Sequence, residues 1–189
     1  LVSIENIEQA AKNLKGVAER TPLQKNLALS EKYKCDIYLK REDLQPVRSY
    51  KIRGAFNKIK SLNKESLTKG VICASAGNHA QGFAYACNLL DIKGTVYMPS
   101  TTPKQKIQKV KFFGKSNVNV VLTGDTFDDS FKSSMKACEE KGMTFVHPFD
   151  DHRVMEGQGT VGLEILEDTN DIDYLLLPVG GGGKVLIAK

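Results

Sequence analysis

The chain has 189 residues, of which 41% are hydrophobic, enough for the core of one large domain or two small ones. Its net charge of +5 comes from lysines scattered among 22 acidic residues rather than from a basic block, so nucleic-acid binding is not expected. No apolar run approaches the ~20 residues of a membrane span, and the amino terminus lacks the basic and then apolar order of a signal peptide. We therefore expect a soluble, cytoplasmic protein without a nucleic-acid or membrane partner.

The predicted elements begin with helices and continue as alternating strands and helices. Apolar residues at three- and four-residue spacing predict helices over residues 4–17, with Ser3 as N-cap, over residues 27–33, and from Lys51 to about residue 62. Residues 37–39 are predicted as a short buried strand. Further strands are predicted over residues 71–74, 95–98, 119–122, 144–146 and 174–179, and further helices over residues 80–90, 103–113, 125–141 and 153–167. This alternation predicts an α/β fold with mainly parallel sheets, helices on both faces, and ligands beyond the carboxyl ends of the strands.

The cysteines and histidines do not form a metal-site pattern. The four cysteines lie among apolar residues without the spacing of metal ligands, so we expect buried, reduced thiols; they are Cys35, Cys73, Cys87 and Cys138. His147 and His152 lie beside Asp150 and Asp151 in what we interpret as a solvated loop. His79 is interpreted as a structural hydrogen-bonding residue rather than a general base.

Lys51 lies in the first turn of a predicted amphipathic helix. Ser49 or Tyr50 occupies the N-cap position, so unpaired amides and the positive end of the helix dipole surround the lysine. If the position is also shielded from water, it favours the neutral amine, which can act as a base and can form a Schiff base with a carbonyl. The alternative is an ordinary surface lysine, one of 27 lysines and arginines.

Two turns that follow predicted strands are candidate anion sites. Residues 75–79 offer backbone amides at a helix N-terminus, a glycine for a tight turn and the side-chain amide of Asn78. The alternative is an ordinary turn in which Ser75 or Asn78 caps the helix. Residues 180–183, all glycine, let amides converge on a phosphate, although a flexible tail is the alternative there. Pro178 and Val185 exclude a nucleotide P-loop at this run, and a dinucleotide-binding pattern lacks its third glycine.

One amine and two anion sites at strand ends suit a cofactor with an aldehyde and a phosphate, together with a substrate that carries a carboxylate. Pyridoxal 5'-phosphate with an amino acid meets that description. The same residues carry a family resemblance, in motifs at residues 39–44 (LKREDL), 49–55 (SYKIRGA), 74–82 (ASAGNHAQG) and 180–183. The chain resembles the fold type II pyridoxal-phosphate enzymes (tryptophan synthase β-like), and most closely the biosynthetic threonine dehydratase (threonine deaminase) family.

The resemblance implies roles for individual residues. Lys51 would form the Schiff base with the cofactor, Tyr50 would replace a ring-packing Phe, and Asn78 would bond the cofactor's 3-hydroxyl. The residues implied to hold the phosphate are Gly180, Gly181, Gly182 and Gly183. The residues implied to hold the substrate carboxylate are Ser75, Ala76, Gly77, Asn78 and His79.

The implied reaction is deamination of L-threonine to 2-oxobutanoate and ammonia, the first step toward isoleucine, with L-serine as an alternative substrate. Serine racemases resemble the chain too, but they carry a second serine at the position of Ala76, so we favour dehydration. A related β-replacing enzyme and a non-catalytic fragment with exposed apolar surface are the other hypotheses.

The resemblance also implies an incomplete chain. Family members continue much further, and that continuation includes the Ser or Cys that bonds the pyridine nitrogen and half of the large domain's sheet. Residues 1–69 and 150–189 would belong to the large, cofactor-binding domain, and residues 70–149 would form the smaller domain. Residues 184–189 depart from the family pattern, and the full-length protein is expected to form a homo-oligomer.

Overall fold

Eight α-helices and six strands occupy residues 2–177, the part of the chain that this computed structural model describes. The helices are α1 (Ile4–Leu14), α2 (Leu27–Tyr33), α3 (Lys51–Lys60), α4 (Lys64–Lys69), α5 (Asn78–Leu90), α6 (Lys104–Gly114), α7 (Phe127–Lys141) and α8 (His152–Asp168). The strands are β1 (Leu23–Lys25), β2 (Tyr38–Lys40), β3 (Val71–Ala74), β4 (Gly94–Met98), β5 (Val118–Leu122) and β6 (Thr144–Phe145). None of these helices has both the length and the apolar character that crossing a bilayer requires.

A four-stranded parallel sheet in the order β5-β4-β3-β6 confirms the predicted α/β architecture. Strand β3 is central and fully buried, and its side chains alternate between two hydrophobic clusters. Val71 and Cys73 pack with residues of α5 and α6, whereas Ile72 and Ala74 pack with residues of α7. Helices therefore cover both faces. The sheet lies within residues 70–149, and the division of the chain into two domains stays a prediction.

Three expectations about strands and thiols are wrong or incomplete. Strand β2 pairs only with β1, in an antiparallel two-stranded sheet, and Tyr38 and Leu39 are 51% and 38% exposed instead of buried. A strand was predicted over residues 174–179, and its described part, residues 174–177, is not a strand. An apolar segment becomes a strand only where a neighbouring strand pairs with it. Cys35 is exposed, whereas the other three cysteines are buried and all four are free thiols.

Helix α3 is held between α5 and α8 by unusually close backbone approaches. A side-chain carbon at Gly82 of α5 would lie 2.8 Å from the Ile52 nitrogen and 2.9 Å from the Lys51 carbonyl carbon. A side-chain carbon at Gly157 of α8 would collide with the Arg53 carbonyl oxygen. These contacts need glycine because all three partner atoms belong to the backbone and cannot rotate away. Lys51 thus has a backbone position fixed by its neighbours.

A buried charge network surrounds Arg53 on the same helix. Arg53 is 1% exposed, and its guanidinium donates to Glu42 at 2.8 Å and to Glu164 at 2.6 Å. Lys40 also pairs with Glu164, at 2.8 Å. The network joins β2, α3 and α8, and it satisfies the donors of a guanidinium that burial would otherwise destabilise.

The close approach of α5 to Lys51 predicts that Gly82→Ala destabilises the protein. Overpacking typically costs about 1–3 kcal/mol, more than the roughly 1 kcal/mol that alanine gains over glycine inside a helix. Urea unfolding should show a lower free energy of unfolding for Gly82→Ala. Asn88→Ala, on a half-exposed position of the same helix, is the control and should leave stability equal or slightly higher. Equal stability of Gly82→Ala and wild type would contradict the close approach.

Candidate active site at the ends of helices α3 and α5

Lys51 is the first residue of α3, and its amine is anchored rather than directed into solvent. Tyr50 is the N-cap and provides no side-chain cap, so the first amides of α3 face the region around the lysine. The Lys51 Nζ donates a hydrogen bond of 2.6 Å to the Pro148 carbonyl oxygen and lies 5.1 Å from the centre of the Tyr50 ring. The side chain is half-buried. An ordinary surface lysine does not fit these contacts.

The turn between β3 and α5 presents a helix N-terminus beside this lysine. Gly77 is the N-cap of α5, and no side chain caps the helix. The Ser75 hydroxyl instead accepts a 3.2 Å hydrogen bond from the Gly77 amide, and so stabilises the turn itself. A side-chain carbon at Gly77 would meet nothing within 4 Å, so the space in front of the turn is open. The arrangement can receive an anion on the first amides of α5.

Two adjacent residues of this turn point to different environments. Asn78 is exposed, and its side-chain amide makes no hydrogen bond within the described part of the chain. His79 is 3% exposed, and its Nε2 donates a 3.0 Å hydrogen bond to the Val146 carbonyl oxygen. Burial lowers the pKa of His79 to about 3, with the nearby Lys51 and His147 acting in the same direction. The neutral ring of His79 is therefore unsuited to bind an anion, which leaves its backbone amide as the group that can do so.

The segment after β6 completes this region, and sequence reasoning missed its role. The Pro148 carbonyl is the acceptor for Lys51, and the His147 Nδ1 accepts the Asp150 amide at 2.7 Å and the Phe149 amide at 3.2 Å. The prediction of a solvated loop over residues 147–152 is only partly correct, because Asp150 and His152 are exposed whereas the other four residues are half-buried. The available signal was their position at the carboxyl end of a parallel strand, the edge that also carries residues 75–79.

The structure brings together two of the three predicted groups and adds a third that the sequence did not predict. Lys51, the turn at residues 75–79 and, in addition, residues 146–150 lie together, whereas residues 180–183 lie outside the described part of the chain. An anchored amine, an uncapped helix N-terminus and an unpaired side-chain amide at Asn78 fit the aldehyde, carboxylate and hydroxyl chemistry of pyridoxal phosphate with an amino acid. Within the described residues, no cluster of histidine, cysteine and acidic side chains could hold a metal ion.

A family model described as pyridoxal-phosphate dependent enzyme matches residues 14–186 of the chain. The "L-threonine dehydratase biosynthetic IlvA" of Halalkalibacterium halodurans is 58% identical over 185 residues, which are 97% of this chain and 45% of that protein. The chain thus spans less than half the length of the curated relatives it matches.

Two solved structures also resemble the chain closely. The processed form of threonine deaminase isoform 2 from Solanum lycopersicum aligns with a TM-score of 0.89 and 40% identity, over 98% of this chain and 52% of that one. Serine racemase from Dictyostelium discoideum aligns with a TM-score of 0.87 and 34% identity, over 96% of this chain and 58% of that one. Both agree with a fold type II architecture for this chain.

The buried neutral ring of His79 predicts an acid-sensitive stability. Its pKa of about 3 in the folded protein lies below the ordinary value of 6.5, so the unfolded state binds more protons as the pH falls below 6.5. Between pH 6 and 4, the free energy of unfolding should fall by roughly 1 kcal/mol per pH unit more in wild type than in His79→Gln. Urea unfolding at several pH values measures this, and parallel curves for the two proteins would show that His79 is not buried neutral.

Proposed function

Because the chain belongs to the family of pyridoxal-phosphate dependent enzymes, we propose that the full-length protein is a threonine dehydratase. It deaminates L-threonine to 2-oxobutanoate and ammonia by eliminating the β-hydroxyl as water, and L-serine is its alternative substrate. The names of the curated relatives support the choice of threonine and a biosynthetic role, which we propose to be the first step toward isoleucine. We also propose a cytoplasmic location and a homo-oligomeric full-length protein.

The observation that carries the proposal is the Lys51 amine fixed beside the uncapped N-terminus of α5. When bound, pyridoxal phosphate supplies an electron-withdrawing ring that acidifies the α-carbon of an attached amino acid. Lys51 is the residue that would hold the cofactor at its aldehyde carbon, and its Nζ would accept the α-proton of the substrate. The Pro148 carbonyl, 2.6 Å away, holds this amine while it is not bonded to the cofactor.

The remaining contacts come from the turn between β3 and α5 and from the end of the chain. The first amides of α5 bind the substrate carboxylate, because backbone N–H groups at a helix N-terminus stabilise an anion. Asn78 bonds the 3-hydroxyl of the cofactor through its exposed side-chain amide. Residues 180–183 are proposed to hold the phosphate. The centre of the Tyr50 ring lies 5.1 Å from the Lys51 Nζ, and this ring would pack on the cofactor ring.

Racemisation is the second candidate, favoured by the likeness to serine racemase. Reprotonation on the opposite face of the α-carbon needs a group that can hold a proton there. Ala76 offers only a methyl group at the position where that family carries a second serine, so dehydration is the better supported reaction.

Lys51→Ala should abolish attachment of the cofactor. The full-length protein with pyridoxal phosphate should show the visible absorption band of a lysine-bound cofactor, and Lys51→Ala should lose the band and at least about 10³-fold of the threonine deaminase rate. Lys58→Ala, about two helical turns further along α3, is the matched control and should retain both. A protein without the band, or a band that survives in Lys51→Ala, would overturn the assignment of Lys51.

The products identify the reaction. With L-threonine the full-length protein should release 2-oxobutanoate and ammonia in equal amounts, and with L-serine it should release pyruvate without D-serine. Chiral chromatography and an ammonia assay measure both outcomes. Accumulation of D-serine would favour racemisation, and a replacement product formed only with an added thiol would favour a β-replacing enzyme.

A further inference from the structure

The segment of residues 146–150, which we call the carbonyl strap, follows β6 and reaches the Lys51 amine through a backbone atom. Its first residue, Val146, is fully buried, and its carbonyl accepts the hydrogen bond from the His79 Nε2 at 3.0 Å. Since a carbonyl oxygen can only accept, the proton of this bond lies on Nε2, and the neutral ring leaves Nδ1 without a proton. That Nδ1 is buried and finds no partner among the described residues. Among the described residues, the ring of His79 therefore makes one hydrogen bond, to the Val146 carbonyl of the carbonyl strap.

His147 lies in the carbonyl strap and stabilises its bend through hydrogen bonds. Its Nδ1 accepts the amides of Phe149 and Asp150, so the chain turns tightly around the ring, and Pro148 lies at the bend. The ring of His147 also packs edge to face on the Phe149 ring, with 4.6 Å between centroids. The bend leaves the Pro148 carbonyl directed at Lys51, with the buried Gln158 side chain 3.5 Å from the same oxygen.

We propose that His79 is a positioning residue for the Lys51 amine, acting through the carbonyl strap. The proposal rests on the proposed function, since it matters to the reaction only if Lys51 accepts the α-proton. His79 stands at the second position of α5, so one side chain connects the helix whose N-terminus faces the substrate with the strap that holds the base. The two sides of the site are thereby kept at a fixed separation.

The physical reason is that Lys51 donates to a backbone oxygen. A backbone oxygen has no side-chain rotamer of its own, so the contacts of the surrounding chain determine its orientation. Loss of the His79 donor leaves the Val146 carbonyl buried and unpaired, and the strap must then shift to find another donor. Proton transfer depends steeply on the distance and angle between donor and acceptor, and a misplacement of about 1 Å costs on the order of 10²-fold in rate. A displaced strap should slow the proton transfer before it affects substrate binding.

The test compares His79→Leu, which removes the donor, with His79→Gln, whose amide nitrogen can reach the position of Nε2. In the full-length protein, His79→Leu should lower kcat about 10-fold or more. It should also raise the primary isotope effect measured with α-deuterated L-threonine, because proton removal then limits the rate. His79→Gln should restore both values close to wild type. A merely structural role would lower the amount of folded enzyme and leave the isotope effect unchanged, and that result would overturn the proposal.

A second measurement, the chemical reactivity of the Lys51 amine, does not require turnover of threonine. In the cofactor-free protein, an amine-reactive reagent followed by mass spectrometry measures the labelling rate of Lys51, which should rise several-fold in His79→Leu but not in His79→Gln. Unchanged labelling in His79→Leu would overturn the positioning role. If labelling changes but the wild-type protein forms no lysine-bound cofactor, the proposed function fails while the link between His79 and Lys51 stands.

The carbonyl strap can also be loosened at His147, in case His79→Leu does not fold. His147→Leu removes the acceptor for the two strap amides, whereas the side-chain oxygen of His147→Asn can replace Nδ1. His147→Leu should raise the isotope effect and the Lys51 labelling rate, and His147→Asn should do so much less. Wild-type values in a folded His147→Leu protein would show that the strap does not position the lysine.

Discussion

The placement of Lys51 depends on the backbone contact between α3 and α5. Gly82 lets α5 approach the first peptide groups of α3 more closely than any side chain would allow, and Gly157 does the same from α8. Because both contacts join backbone to backbone, α3 has little freedom to slide or rotate between its neighbours. The amine of Lys51 then needs only its own side-chain rotamer to be fixed, and the hydrogen bond to Pro148 fixes it.

The polar network at Arg53 adds a second restraint on the same helix, two residues after the lysine. The glycine contacts act only where two backbones touch. The Arg53 guanidinium, by contrast, forms ion pairs with Glu42, which follows β2, and with Glu164 on α8. Removing one partner of a buried ion pair typically costs about 3–5 kcal/mol, since a charge is left without compensation. The two restraints differ in kind: the glycines set how close the helices come, and the ion pairs set which part of each helix meets.

The elements that could be predicted from the sequence are those with a clear hydrophobic period or a recognisable turn. The stripe from Ile52 onward located α3, and the run of small and polar residues after β3 located the N-terminus of α5. Sequence reasoning missed β1 and α4, which have three and six residues and too few positions to show a period. The role of Pro148 was missed because its contribution is a carbonyl oxygen, which every residue has. The direction of the His79 ring depends on β6, whose pairing brings Val146 near and is not visible in the local sequence.

Backbone groups contribute to the region of Lys51 from three segments: the first amides of α5, the first amides of α3 and the Pro148 carbonyl. Backbone groups offer the reaction a polar surrounding that needs no reorganisation, provided that the chain carrying them is rigid. The close approach at Gly82 and the side-chain contacts of His79, His147 and Gln158 restrain the segments that carry these groups. The placement of the Lys51 amine thus depends on how its neighbours hold the main chain as well as on the lysine side chain itself.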